Sequence, residues 1–153
     1  MEAQDQVTAH SAPSGLPKIT LRTATHEDID AIITFIQPFV ESGALLRRTY
    51  DEVEEWLPTF YLALAGDEIV GCAALEIYSK KLAEVRSLAV SPRMQGMGIG
   101  KMLVNACVTL AHERRILEVM VITSNEQFFK AIGFDFTMTG EKKALFIQTR
   151  EVY

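Results

Sequence analysis

The spacing of apolar and polar residues changes period several times along the chain, and each change predicts an element. KITLR (18–22) alternates as a strand does. In THEDIDAIITFIQ the apolar positions Ile29, Ile32, Ile33 and Ile36 recur at helical spacing. Thr25 with Asp28 three residues on supplies a helix start, and Pro38 lies near the helix end. Thr49 with Glu52 repeats the start signal ahead of YDEVEEWL. TFYLALAGDEIVGCAALEIY reads as two strands joined at Ala65-Gly66-Asp67-Glu68, and LAEVRSLAV (82–90) as a third, central strand. A glycine-rich loop follows, then a long helix from about Ile99 to Arg114 with Leu103, Cys107 and Leu110 among its apolar positions. LEVMVIT (117–123) is nearly all apolar, the mark of a strand buried on both faces. NEQFFKAI is a short helix ended by Gly133, and FDFTM and ALFIQT are expected to close the sheet as a pair of strands.

The resulting order, β-α-α-β-β-β-α-β-α-β-β, predicts one α/β domain: a mixed, mostly antiparallel sheet flanked by helices. Residues 1–16 lack periodicity and are rich in Ala, Ser, Gln and Pro; they are expected to be a flexible tail, leaving 17–153 as the domain.

Composition narrows the partners. Hydrophobic residues make up 48% and charged residues 23%, as in ordinary globular proteins. A net charge of −5 offers no basic surplus for a nucleic-acid backbone, so no nucleic-acid partner is expected, although a local basic pocket for a small anion is compatible with it. No apolar run reaches the roughly 18 residues of a membrane span, and MEAQDQVTAHSAPSG has no signal-peptide pattern. A cytoplasmic setting without membrane contact is therefore expected. Cys72 and Cys107 both lie in apolar runs and read as buried, reduced thiols. The sequence does not set the oligomeric state, and a homodimer is compatible with it.

The chemistry concentrates in RMQGMGIGKML, residues 93–103. Glycines opening a helix present free N–H groups and a partial positive charge to a phosphate. A nucleoside-triphosphate loop would need G-x-x-x-x-G-K-S/T, but the first glycine would fall on Gln95 and the hydroxyl on Met102. A dinucleotide loop would use Gly96 and Gly98 but needs a third glycine where Lys101 stands. A third pattern fits: Gln/Arg-x-x-Gly-x-Gly/Ala, met by Gln95, Gly98 and Gly100 after the strand SLAVSP.

That loop, with LAVSP before it and FFKAIGF near the end, resembles the coenzyme A loop of the GNAT superfamily of N-acetyltransferases. The resemblance runs from Lys18 onward and implies the GNAT fold, with acetyl-CoA as co-substrate and no metal. It implies that Gln95, Gly96, Met97, Gly98, Ile99, Gly100 and Lys101 surround the pyrophosphate, Lys101 being either a ligand or a solvated first-turn lysine. It further implies that the pantetheine arm adds along Leu88, Ala89 and Val90 through main-chain contacts of Leu88 and Val90.

On the acceptor side, period two places Glu84, Arg86, Leu88 and Val90 on one face of their strand. Charges there need partners, so Glu84 and Arg86 are either an ion pair at a strand end or functional groups. Glu84 resembles the carboxylate proposed as base in the superfamily. GALLRRTYDEVE, with GCAALEIY and AEVRSLAV, resembles the acetyltransferase domain of N-acetylglutamate synthase, an enzyme of arginine synthesis. That resemblance implies L-glutamate as the small-molecule acceptor and direct attack of its amine in a ternary complex. Its carboxylate would be held by Arg47 first, then Arg48, with Arg86 nearby. Solvated arginines before a helix cap are the bland alternative. A tyrosine serves many family members as general acid, but Phe129 stands there; Thr123, Ser124 or a water would have to replace it. Another amine, such as a peptide or protein N-terminus, and a non-catalytic acyl-CoA sensor remain as alternative functions. Lys142, Lys143 and Arg150 are candidates for a second carboxylate's partner, or simply solvated charges.

Overall fold

The structure, a computed structural model, describes residues 15–137, Gly140 and residues 143–149. Residues 1–14 of the expected tail, with Met138, Lys142 and Arg150, lie outside the described residues.

Strand β1 (Ile19–Thr23) leads into a single 3-10 turn, His26–Asp28, and helix α1 (Ile29–Glu41). The Thr25 signal works as expected: its N–H donates to Asp28 Oδ2 at 2.7 Å. Asp28 also receives Arg22 Nη2 at 2.9 Å, which ties the helix start to β1. Ile29, Ile32 and Ile36 on α1 are 2% exposed or less. Burying each contributes roughly 1.5–3 kcal/mol, enough to fix which face of α1 meets the sheet. Helix α2 (Tyr50–Trp56) is capped by Thr49, whose hydroxyl accepts from Glu52 N–H at 3.2 Å while Glu52 Oε2 accepts from Thr49 N–H.

Strands β2 (Phe60–Ala65), β3 (Glu68–Ser79) and β4 (Leu82–Val90) form an antiparallel meander. Helix α3 (Ile99–Glu113) then crosses to β5 (Glu118–Met120), which runs parallel to β4, and α4 (Glu126–Ala131) follows. The sheet order is β1-β2-β3-β4-β5. One face carries α1 and α2 over Phe60, Leu62, Cys72 and Ala74; the other carries α3 over Val70, Ala73, Leu75 and Val85.

Three expectations are corrected. The 117–123 strand is only three residues long and is not buried on both faces: Leu117 is 75% and Ile122 62% exposed. It is the edge strand of the sheet among the described residues, so nothing there covers its far side. Residues 134–137 and 143–149 form no strand, and Leu145, Phe146 and Ile147 are at least 70% exposed. Finally, Glu84, Arg86, Leu88 and Val90 do not share one face. Cys72 pairs with Ala89 but Ala74 with Arg86, so β4 carries one extra residue. Ser87 takes φ 54°, a left-handed value uncommon for a residue with a Cβ. The bulge inverts the alternation: Leu88 and Val90 pack on the α3 side, while Ala89 faces α1 and α2.

Candidate active site

β4 and β5 are paired only at Leu82–Glu118, Ala83–Val119 and Glu84–Met120. Beyond Glu84 the strands part, and β4 continues to Val90 with no strand partner on that side among the described residues. A cleft of about 980 Å³ opens between them. Its walls come from β4, the glycine loop, residues 121–125, and the segment 44–48 with Arg47 left out.

At one end lies the start of α3. Gly96 (φ 81°) and Gly98 (φ 79°) use backbone conformations that side chains resist, and a Cβ on either would meet no protein atom within 4 Å. Both therefore leave the approach to the helix start open. The first α-helical bond runs from Met102 N–H to Gly98 O, so the N–H groups ahead of Met102 have no partner inside the helix. Gly100 has a different reason to be glycine: a Cβ there would meet Phe128 Cζ at 3.2 Å. Gln95 Nε2 donates to Val90 O at 3.3 Å, fastening the loop to the strand end. Lys101 is exposed at the cleft mouth. Met97 does not line the cleft, and its side chain packs on the α3-side core, which leaves only its main chain to face a ligand. This set suits a pyrophosphate: open main-chain donors, a helix start, and alongside them a strand edge with no strand partner among the described residues.

At the other end the arginines separate. Arg47 is exposed and absent from the cleft wall, whereas Arg48 is a wall residue whose side chain is only 8% exposed. Arg48 Nε donates to Ser87 Oγ at 3.2 Å, and its guanidinium lies 5.0 Å from the Trp56 ring centroid. Its carboxylate neighbour, Glu52, stands 3.8 Å off. Burial, then the nearby Arg86 charge, lowers its pKa below the ordinary arginine range. A cation held this way is under-neutralised and is stabilised by an incoming anion.

Glu84 is 4% exposed and lines the cleft at the point where the strands part. It sits directly across from Glu76 on β3, a like-charge pair that needs a cation between. Arg86 supplies it: Nη1 lies 2.8 Å from Glu76 Oε2 and 3.3 Å from Glu84 Oε1. Burial opposes its charge, yet Glu84, Tyr78 and Glu76 outweigh that and raise its pKa. Tyr78 Oη donates to Glu84 Oε1 at 2.8 Å. Burial first, and this carboxylate second, pushes the phenol up to about 12.

Thr123 and Ser124 line the opposite wall, just past β5. Thr123 Oγ1 accepts from Asn125 N–H at 2.9 Å, which leaves its own proton free to be donated. Phe129 is 5% exposed and stacks edge-on against Phe128 and Phe134, with centroids at 4.9 and 5.4 Å. It shapes the wall and carries no proton.

Trp56, Glu76, Tyr78 and Ser87 belong to this neighbourhood, and the sequence reading passed over all four. Trp56, the chain's single tryptophan, was the signal most open to notice.

The family model described as Acetyltransferase (GNAT) family matches residues 26–134. An uncharacterized N-acetyltransferase of Chlorobaculum tepidum is 34% identical over 114 residues, covering 74% of this chain and 74% of the relative. An amino-acid acetyltransferase of Mycobacterium tuberculosis is 32% identical over 117 residues, covering 74% of this chain and 67% of the relative. Among solved structures, N-acetylglutamate synthase from Neisseria gonorrhoeae, complexed with coenzyme A and N-acetyl-glutamate, superposes with a TM-score of 0.73 at 28% identity. That match covers 82% of this chain but only 30% of the synthase.

Proposed function

The chain belongs to the acetyltransferase (GNAT) family, and from that premise we propose that it moves an acetyl group from acetyl-CoA to the amine of L-glutamate, by direct attack in a ternary complex. It is an acyl-CoA-dependent N-acetyltransferase, and its relatives include amino-acid acetyltransferases. Acetyl-CoA supplies the activated thioester. The main chain of Leu88 and Val90 and the helix start from Gln95 to Lys101 hold that co-substrate, the glycines allowing close approach to the pyrophosphate.

The observation that carries the acceptor assignment is Arg48. A nearly buried guanidinium, stacked on Trp56 and with its ion-pair partner Glu52 as far as 3.8 Å away, suits the carboxylate of an amino acid. Glu84, at the fork of the strands, takes the ammonium proton so that the amine can attack. Thr123 or Ser124, on the facing wall, protonates the leaving thiolate. Arg86 Nη1, 3.3 Å from Glu84 Oε1, holds that carboxylate in place at the fork. A cytoplasmic role in arginine synthesis suits this chemistry, as do two buried free cysteines.

The test is a panel of amines with acetyl-CoA, following free thiol. L-Glutamate should be acetylated faster than polyamines, aminoglycosides or a peptide N-terminus. Preference for cationic amines, or equal rates with all, would remove the glutamate assignment. Acetyl-CoA binding without turnover of any amine would favour a sensor.

A further inference from the structure

On the reading above, Glu84 gains a proton at every turnover and must lose it before the next amine is activated. It is only 4% exposed, and an occupied cleft blocks the direct way out. Its other side is built differently. Tyr78 Oη lies 2.8 Å from Glu84 Oε1 and 3.1 Å from Glu76 Oε2. Neither Tyr78 nor Glu76 lines the cleft. Tyr78 is 49% exposed and the Glu76 side chain 24%, so the chain of oxygens runs from the cleft to solvent.

Charge balance alone does not account for this cluster. Arg86 is one guanidinium facing two carboxylates, and a phenol adds no charge to compensate. What the phenol adds is one proton with two carboxylate oxygens in reach. It can donate to only one of them at a time, while its lone pairs accept from the other. We infer that Tyr78 and Glu76 form an exit through which the proton taken by Glu84 reaches solvent without crossing the occupied cleft.

The transfers balance. At rest the Tyr78 O–H points at the Glu84 carboxylate. After the amine proton is taken, Glu84 is a neutral carboxyl; a half-turn about Cγ–Cδ presents its O–H to Tyr78, whose own O–H swings to Glu76 Oε2. The Glu84 O–H bond breaks as Tyr78 Oη accepts the proton, and the original Tyr78 proton passes to Glu76 Oε2. Glu84 is then a carboxylate again, Tyr78 is neutral, and Glu76 is a neutral acid that releases the proton to water. The proton Tyr78 has received already points at Glu84, which restores the resting arrangement. Tyr78 stays protonated at working pH because burial and Glu84 hold it near about 12. Arg86 Nη1, within 3.3 Å of all three oxygens, stabilises whichever carboxylate is ionised. Tyr78 and Glu76 act through Glu84, so both are positioning residues rather than catalytic ones.

The exit matters only from the second turnover onward, and this separates it from a purely structural role. Acetylated product would be followed by rapid quench for wild type, Tyr78→Phe and Glu76→Gln, with saturating acetyl-CoA and L-glutamate. Both variants should keep the wild-type first turnover and then slow, so product appears as a burst. Steady-state kcat should fall roughly 10- to 100-fold, at or below the low end for a positioned proton-transfer group. Added imidazole, a small diffusing base, should restore part of the loss. Unchanged steady-state rates overturn the exit, and so does a first turnover slowed in step with kcat and indifferent to imidazole. A wild-type protein that acetylates no amine instead sinks the functional reading, and the exit with it.

Discussion

Arg48 and Ser87 stand 39 positions apart in sequence and meet in a 3.2 Å hydrogen bond from Nε to Oγ. The bond joins the loop ahead of α2 to the bulged residue of β4. Ser87 is 6% exposed and held at positive φ, so its hydroxyl is a fixed peg rather than a rotor. The guanidinium it receives is thereby oriented before any acceptor arrives, which lowers the ordering cost of binding.

Arg48→Ala should raise KM for L-glutamate by about 10- to 100-fold, the value of a charge-assisted pair worth roughly 1.5–3 kcal/mol. Arg48→Lys should recover little, since an ammonium cannot reproduce the planar fork or its stacking on Trp56. Arg47→Ala should leave KM nearly unchanged. Steady-state kinetics on the three variants decides between the neighbouring arginines.

Glu84→Gln preserves shape and removes the proposed base. Turnover should fall by about 10²- to 10⁴-fold while coenzyme A affinity by calorimetry stays the same. A variant that retains wild-type kcat would strip Glu84 of its role.

Two glycine substitutions should fail for different reasons. Gly98→Ala puts a side chain at φ 79° and should cost about 1–2 kcal/mol in urea unfolding. Its Cβ also enters the open approach to the helix start, so coenzyme A should bind more weakly. Gly100→Ala instead presses on Phe128 at 3.2 Å and should disturb the α3–α4 contact, visible as a lowered Tm.

Arg22 holds the Asp28 carboxyl down at about 2, below its ordinary 3.8. A depressed carboxylate stabilises the fold above its unfolded value and loses that contribution as pH falls through the folded one. Asp28→Asn should therefore destabilise at pH 7 by about 1 kcal/mol, a figure discounted for solvent screening of the half-exposed Arg22. The difference from wild type should shrink between pH 4 and pH 2, the window from 3.8 to about 2, when unfolding is followed by denaturant titration.

Burial pushes both thiols, Cys72 and Cys107, up to about 12. Native protein should show no reaction with an aromatic disulfide reagent at pH 8, and two thiols should titrate after unfolding. A free-thiol assay of turnover then carries no background from the enzyme.

Elements whose burial follows a period were legible from residues alone. The three buried isoleucines of α1, the Thr49–Glu52 cap, the β2–β3 turn and the span of β4 all lie where the pattern puts them. The bulge at Ser87 was not legible, because a serine at φ 54° leaves no mark in composition. Missing it put Leu88 and Val90 on the wrong face. Which of Arg47 and Arg48 lines the cleft was not legible for a related reason: adjacent residues point to opposite sides, and only the docked loop decides which side is inward. The apolar run 117–123 overstated its strand because hydrophobicity reports burial expected, not strand length achieved. Tyr78 and Glu76 carried a readable hint, since a glutamate facing another across a hairpin calls for a nearby cation.

The parting of β4 from β5 after Glu84 has one more consequence. The groups it leaves uncommitted are main-chain N–H and C=O, which every residue type except proline supplies in full. On the proposed reading, recognition of the donor there is largely insulated from point substitution, because it is written in where a strand stops. The acceptor end, on the proposed reading written in side chains such as Arg48, Trp56 and Glu84, is open to change one residue at a time. Such a division lets a chain of this design exchange one amine for another while the thioester it draws on stays the same.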